Sequence, residues 1–246
     1  MDEQTLLRTN GLKKIYLSQP SDVDSEAVVS KFRVQREWHR EKLNSVFRHL
    51  NLENKDVLDL ACGSGGLTRK LKRKCPSANI FGVDFNEEAI NYANEVDEGI
   101  PGLRYKSGDA QDLTFKKNSF DVVIGLDMLD HIPDYNLCLS EIHRVLRPGG
   151  KLILTVENRR SLWPIVEYIW DRSGGRDYGN VHVVHFTPKS FRNVLVRAGF
   201  SINKFYTIHN INTFFYLLSD YYPKKLNSYI SRKRLGLTLF CYAEKH

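Results

Sequence analysis

The sequence predicts an α/β fold: one domain whose parallel sheet is covered by helices. Short apolar runs alternate along the chain with stretches of helical periodicity, a pattern that is typical of βαβ units. The length of 246 residues suits one large domain with extra segments better than two domains. A hydrophobic fraction of 41% is sufficient for a substantial buried core, which excludes a disordered chain.

The N-terminal part of the chain is predicted to be helical after a loose polar start. Apolar residues recur at three- and four-residue steps between residues 24 and 50, as expected for one face of a helix. Asp24 or Ser25 is the candidate N-cap. We therefore predict an N-terminal helical segment at residues 1–50 and the main domain at residues 51–246.

Five apolar runs in the main domain predict parallel strands. They are Val57–Ala61, Asn79–Val83, Leu103–Ser107, Phe120–Leu126 and Lys151–Val156. The stretches between them predict helices. One ends near Lys74, and one is capped by Asn86, a residue type that suits the N-cap. Another runs from Pro133 to Leu146, ahead of a turn predicted at residues 148–150.

The chain is less regular after the fifth strand. Residues 157–186 show no clean period and are rich in aromatic residues and glycine, so we expect a substrate lid there and a second lid segment at residues 207–234. Thr187-Pro188 predicts the start of a helix that ends near Gly199. Two further apolar runs predict the last strands, Phe200–Tyr206 and Leu235–Tyr242.

A glycine cluster follows the first strand, in the segment Asp-Leu-Ala-Cys-Gly-Ser-Gly-Gly at residues 59–66. Glycines at a strand-to-helix turn let the backbone approach a ligand closely, and ligands bind beyond the carboxyl ends of parallel strands. Asp84 ends the next strand, where a carboxylate can accept hydrogen bonds from ribose hydroxyls. Asp109 follows the third strand and is a candidate acceptor for an adenine amino group, although a helix cap explains it as well.

These features fit either a dinucleotide such as NAD or the nucleoside cofactor S-adenosylmethionine (SAM). The third glycine of the dinucleotide fingerprint is replaced by Thr68. NAD needs its pyrophosphate close to the helix N-terminus, whereas SAM has no phosphate. The replacement favours SAM and leaves an NAD-dependent oxidoreductase as an open alternative.

Several ordered motifs between residues 50 and 157 resemble the class I SAM-dependent methyltransferases, in particular small-molecule enzymes of methyltransferase type 11. The matching segments are Val57–Gly65, Gly82–Asp84, Gly108–Ala110, Phe120–Pro133 and Leu146–Leu154. The resemblance implies a Rossmann-like sheet of seven mostly parallel strands, with helices on both faces and an antiparallel last strand. It also implies SAM as the cofactor. The residues that it implies around SAM are Asp59, Gly63 and Gly65 at the methionine part, Asp84 at the ribose, Phe85, Asp109 and Ala110 at the adenine, and Leu126 at the amino acid moiety.

The segment after the fourth strand is similar to that of the UbiG-type O-methyltransferases of ubiquinone biosynthesis, whose Glu-x-x-Glu-His pattern can ligate Mg²⁺. Asp127, Asp130 and His131 keep this spacing with shorter side chains, which changes the reach of each ligand. They are the candidate metal ligands, and His131 is also the candidate catalytic residue. Packing and helix entry explain the segment equally well. His182 and His185, in the expected lid, are alternative bases.

We therefore expect methyl transfer to a small-molecule acceptor, such as a hydroxyl of an aromatic or lipid-like metabolite. An RNA or protein methyltransferase and a non-catalytic SAM-binding module are the alternatives. Enzymes that methylate a base amino group commonly carry an Asn/Asp-Pro-Pro-aromatic stretch where this chain has residues 127–130. No nucleic-acid partner is expected for this reason.

Composition constrains the setting of the protein. The formal net charge is +7, with basic runs at residues 69–74 and 224–234. A solvated surface explains these runs, and a peripheral contact with an acidic membrane surface is the alternative. The four cysteines form no C-x-x-C pair, so no zinc signature is present. The acidic, polar start does not resemble a signal peptide, and the apolar runs are too short for a membrane span, so a cytoplasmic location is expected.

Overall fold

The computed structural model describes residues 33–161, 182–208 and 236–246. Within these ranges the strands are β1 (Asp56–Leu60), β2 (Asn79–Asp84), β3 (Leu103–Ser107), β4 (Phe120–Leu126), β5 (Leu146–Glu157), β6 (Phe200–Ile208) and β7 (Thr238–Lys245). The α-helices are α1 (Arg33–His49), α2 (Gly66–Lys74), α3 (Glu87–Val96), α4 (Tyr135–Val145) and α5 (Pro188–Arg197). A 3-10 helix at Leu129–His131 follows β4.

The seven strands form one sheet in the order β3-β2-β1-β4-β5-β7-β6. β1 pairs in parallel with β2 and β4, and β7 pairs antiparallel with β5 and β6. The strand order reverses beside β1, and the crevice at the carboxyl ends of such strands is where open α/β sheets bind ligands. The mostly parallel, seven-stranded sheet with an antiparallel last strand is confirmed.

Helices cover both faces of the sheet. Alternate residues of each strand point to opposite sides, so one strand contributes to two apolar clusters. Leu58 and Leu60 of β1 pack in one apolar cluster with Leu139 of α4 and Phe191 of α5. Val57 of β1 belongs to a second cluster, which includes side chains of α1, α2 and α3: Val46, Leu71 and Ile90. The prediction of helices on both faces is confirmed.

The predicted starts of two helices are confirmed by their caps. The Asn86 side chain accepts hydrogen bonds from the backbone N–H groups of Glu88 and Ala89, at 3.0 and 3.2 Å, and begins α3. Thr187 and Ser190 form a capping box at the start of α5. Such caps stabilise a protein by about 1 kcal/mol each.

The turn predicted at residues 148–150 belongs instead to β5. Phe120 pairs with Leu146, whereas Val122 pairs with Lys151, so the register shifts between these two pairs. Gly149 has a φ of +72°, a conformation that favours glycine. Pro-Gly-Gly is a common turn sequence, and in this sheet the same residues form a bulge that interrupts the ladder without ending the strand.

Some predictions fall outside the described residues. The candidate caps Asp24 and Ser25 precede residue 33, and most of the two predicted lid segments lies in residues 162–181 and 209–235. Residues 1–50 as a separate helical segment stay a prediction. Among the helices that the structure describes, none is long and apolar enough to cross a membrane.

Candidate functional site

The loop between β1 and α2 contains three residues with a left-handed backbone conformation. Ala61, Gly63 and Gly65 have φ values of +55°, +53° and +77°, a left-handed region that favours glycine. The backbone N–H of Cys62 donates to the carbonyl of Val83 at 3.2 Å, which joins the loop to β2. The loop backbone therefore lies at the carboxyl edge of the sheet, beside the end of β2.

Asp84 is held against this loop. The backbone N–H of Gly63 donates to Oδ2 of Asp84 at 2.8 Å, and that of Asn86 donates to Oδ1 at 2.8 Å. Burial raises the pKa of Asp84, and the N–H groups of Asn86, Gly63 and Phe85 act in the opposite direction. Each carboxylate oxygen can accept more than one hydrogen bond, so both oxygens retain capacity for ribose hydroxyls.

Tyr105 packs directly beneath the loop. A Cβ added at Gly65 would lie 2.6 Å from the Tyr105 hydroxyl oxygen, and a Cβ added at Gly82 would lie 2.5 Å from its Cδ1. Real Cβ atoms do not approach this closely. Glycine at both positions is therefore required by packing inside the protein, in addition to any requirement of a ligand.

A buried carboxylate connects Tyr105 to the loop. The Tyr105 hydroxyl donates to Asp97 Oδ2 at 2.7 Å, and Arg69 Nε donates to Asp97 Oδ1 at 2.5 Å. Arg69 also donates to the carbonyl of Ser64 at 3.4 Å. Asp97 thus links Tyr105 to Arg69, and Arg69 links them to the loop. This network is the brace beneath the loop.

Asp59 lies near the carboxyl end of β1 and is 3% exposed. Its Oδ2 accepts a hydrogen bond from the hydroxyl of Thr68 at 2.6 Å. Thr68 stands where the dinucleotide fingerprint has its third glycine, and here its hydroxyl joins α2 to β1. The contact of Asp59 with the methionine part of SAM stays a prediction.

The residues predicted around adenine lie next to Asp84. The backbone N–H of Gly108 donates to the Asp84 carbonyl at 2.9 Å, which brings the loop after β3 to the end of β2. Asp109 Oδ1 accepts from the backbone N–H of Gln111 at 2.8 Å, so it closes a local turn. The other predicted residues are half-buried, and their contacts with SAM stay predictions: Phe85, Ala110 and Leu126.

The Asp127 carboxylate contacts side chains of α1 and β5. It has a φ of +52° directly after β4. The Thr155 hydroxyl of β5 donates to its Oδ1 at 2.6 Å, and Oδ2 forms an ion pair with Lys42 of α1. Asp127 therefore connects α1 to the carboxyl ends of β4 and β5.

Asp130, His131 and His182 meet beside this edge, and their potential ligand atoms all lie within 4.8 Å of one another. The two imidazole rings stack with a centroid distance of 4.6 Å. Nε2 of His182 lies 3.1 Å from Oε1 of Glu157. Burial raises the pKa of Glu157 to about 7, although its contact with His182 acts in the opposite direction. His185 is exposed.

The Mg²⁺ ligand set expected from the resemblance is not assembled. The structure brings Asp130 and His131 together with His182, while the Asp127 carboxylate faces Lys42 and Thr155. Mg²⁺ also prefers oxygen ligands to two imidazoles. These residues do not fit a magnesium site, and we derive no step of the reaction through Mg²⁺.

Comparison with known proteins identifies the family of the chain. Residues 58–154 match the family model of a methyltransferase domain. Over 170 residues the chain is 31% identical to the demethylmenaquinone methyltransferase of Lactococcus lactis, a match that covers 68% of this chain and 66% of that protein. The chain belongs to the class I SAM-dependent methyltransferases.

Other relatives of the methyltransferase domain differ in their acceptors. The fatty-acid O-methyltransferase of Mycolicibacterium smegmatis is 35% identical over 130 residues, which are 53% of this chain and 46% of that protein. The chain thus spans about half the length of several curated relatives that it matches. The solved structure of a SAM-dependent methyltransferase from Mesorhizobium loti has a TM-score of 0.62 and 19% identity, and covers 83% of this chain and 96% of that chain. That likeness shows the fold alone.

Three functional candidates were missed or placed elsewhere by sequence reasoning. Lys42 lies on the buried face of α1, one turn before Val46, and a charged residue in an apolar stripe was the available signal. Glu157 is a polar residue at the end of an apolar strand, in the segment that the sequence predicts as the lid. His182 is a candidate base from the sequence, and its proximity to Asp130 is visible only in the folded chain.

Proposed function

We propose that the protein transfers a methyl group from SAM to a small-molecule acceptor. The observation that carries this proposal is the hydrogen bond from the Gly63 N–H to Asp84, which places a carboxylate against the glycine loop at the carboxyl edge of the sheet. Each oxygen of this carboxylate can accept a further hydrogen bond, so Asp84 retains capacity for ribose hydroxyls. Membership of the methyltransferase family supports SAM as the ligand.

The chemistry that we propose is an in-line displacement. A bond forms between the acceptor atom and the methyl carbon while the carbon–sulfur bond breaks, which leaves S-adenosylhomocysteine. SAM supplies the driving force, and the protein mainly positions the acceptor. An acceptor hydroxyl must also lose its proton. His131, proposed from the sequence, and Glu157 are the candidate proton acceptors, with side chains that are 20% and 23% exposed.

We further propose a hydroxyl of an aromatic or lipid-like metabolite as the acceptor. Two relatives support the aromatic or lipid-like character of the acceptor by the activities in their names, a fatty-acid O-methyltransferase and a demethylmenaquinone methyltransferase. The titratable groups at the ends of β4 and β5 suit an acceptor that must be deprotonated, and they lie on the side of the switch point away from Asp84.

Calorimetry with SAM tests the cofactor site. We expect Asp84→Ala to weaken SAM binding by about 1–3 kcal/mol, because the ribose hydroxyls lose their partner. Gly63→Arg should abolish binding without unfolding the protein. Glu95→Ala, at an exposed position of α3, is the control and should leave affinity unchanged. Unchanged affinity in both site variants would contradict the proposal.

A methyl-transfer assay with radiolabelled SAM tests the acceptor class. We expect label in the organic phase with aromatic or lipid-like acceptors that carry a hydroxyl group, and none in RNA or protein. Binding of SAM without transfer to any acceptor would favour a non-catalytic module. Methyl label in RNA would favour a nucleic-acid methyltransferase, whereas association with RNA that is lost at moderate salt and leaves no label would reject it.

A further inference from the structure

Asp130, His131 and His182 converge although they come from different parts of the chain. Asp130 and His131 lie in the 3-10 helix after β4, and His182 precedes α5. The backbone N–H groups of Val183 and Val184 both donate to the carbonyl of Asp130 at 3.0 Å. The backbone itself therefore holds the His182 segment against the 3-10 helix.

One oxygen of this cluster has no hydrogen-bond partner among the described residues. Asp130 is 1% exposed, and its Oδ2 accepts from the backbone N–H of Glu157 at 3.0 Å. Its Oδ1 is buried without a hydrogen bond and lies 4.0 Å from Nε2 of His131. A buried carboxylate oxygen left in this state is costly. A bound cation would satisfy Oδ1 of Asp130.

The donor set indicates which cation. Two imidazole nitrogens and one carboxylate oxygen are ligands that Zn²⁺ and other divalent first-row transition metals accept, often with a further position open. Mg²⁺ and Ca²⁺ prefer sites built from oxygen atoms. The Glu157 carboxylate beside His182 is the kind of partner that orients a metal-binding imidazole.

We propose that Asp130, His131 and His182 form a binding site for a divalent transition-metal ion, with Zn²⁺ as the probe. The site lies at the carboxyl ends of β4 and β5, where we propose that the acceptor binds. It excludes Asp127, which contacts Lys42 and Thr155. Metal binding itself requires neither SAM nor an acceptor, so the proposal stands apart from methyl transfer.

Calorimetric titration of the full chain, without an affinity tag, with ZnCl₂ and MgCl₂ tests this site. We expect one Zn²⁺ per chain and no competing Mg²⁺ binding. Asp130→Asn and His182→Gln should each weaken Zn²⁺ binding by about tenfold or more, as loss of a ligand or its partner does in metal sites. Asp127→Asn is the matched control and should retain the affinity of the unmodified protein.

Two measurements keep the outcomes distinct. Circular dichroism checks the fold of each variant, and His131→Gln replaces His182→Gln if the latter unfolds. Co²⁺ spectra separate this site from the buried cysteines, because thiolate ligands produce charge-transfer bands that imidazole and carboxylate do not. Absent Zn²⁺ binding, a thiolate spectrum, or equal loss in Asp127→Asn would overturn the proposal. A chain that binds Zn²⁺ but not SAM would retain it while contradicting the proposed function.

Discussion

The β1–β2 edge and the β4–β5 edge of the site are built by different means. At the first edge, backbone N–H groups of Gly63 and Asn86 hold the Asp84 carboxylate. At the second, side chains that are far apart in sequence meet, as Lys42 and Asp127 do. The first edge depends on backbone groups at the ends of two consecutive strands, and the second depends on the packing of side chains from separate segments.

This difference suits the two tasks that we propose. A shared cofactor needs the same groups in every relative, and a backbone-built loop supplies them with little freedom to vary. Acceptors differ among the relatives, and side chains on loops can change without disturbing the sheet. Two predictions test how rigid the first edge is, and two test how α1 packs against the second edge.

The largest effect is expected at Gly65. Gly65→Ala combines a positive φ of +77° with a Cβ 2.6 Å from the Tyr105 hydroxyl. We expect a loss of about 3 kcal/mol in the free energy of unfolding, from backbone strain and overpacking together. Gly99→Ala is the matched control, because Gly99 has a φ of +75° with nothing within 4 Å of an added Cβ. If urea unfolding shows equal losses for Gly65→Ala and Gly99→Ala, the Tyr105 side chain moves aside to accommodate the added Cβ.

The next effect is expected at the brace beneath the loop. Asp97→Ala leaves the Tyr105 hydroxyl and the Arg69 guanidinium without this partner. We expect a loss of about 2–3 kcal/mol in the free energy of unfolding, together with weaker SAM binding. Glu98→Ala, at the exposed neighbouring position, should change stability by less than about 0.5 kcal/mol. Unchanged SAM affinity in Asp97→Ala would show that the brace does not shape the loop.

A smaller effect is expected where α1 meets the second edge. Lys42→Met removes the cation beside Asp127. We expect a loss of about 1–2 kcal/mol in unfolding free energy, less than for a fully buried pair because Asp127 retains some exposure. The double variant with Asp127→Asn should lose less than the sum of the two single losses. Additive losses would show that the two residues do not interact.

The smallest effect is confined to acid pH. Burial, with help from Lys42 and Lys70, lowers the pKa of His39 to about 4. The unfolded chain binds this proton near pH 6.5, so the folded state loses stability as pH falls from 6.5 towards 4. His39→Gln should reduce the loss of unfolding free energy between pH 7 and pH 5 by about 1–2 kcal/mol. Parallel pH profiles of the two proteins would refute the burial of a neutral imidazole.

Much of the fold was predictable because it depends on local patterns. The strands at Leu103–Ser107 and Phe120–Leu126 have the predicted bounds, since runs of alternating or continuous apolar residues are sufficient to indicate a strand. The Asn86 cap was predictable from residue type alone. The glycine loop and Asp84 could be assigned to one edge because parallel strands present their carboxyl ends together.

Local sequence patterns thus specified the strands, the caps and the edge that holds the glycine loop. The strand through residues 148–150, the pairing of Asp127 with Lys42 and the meeting of Asp130 with His182 arose from folding. Each of these depends on contacts between segments that are distant in sequence, and no local pattern specifies which distant residue forms the contact. Sheet pairing and helix docking bring those partners together, and they set the chemistry of the β4–β5 edge.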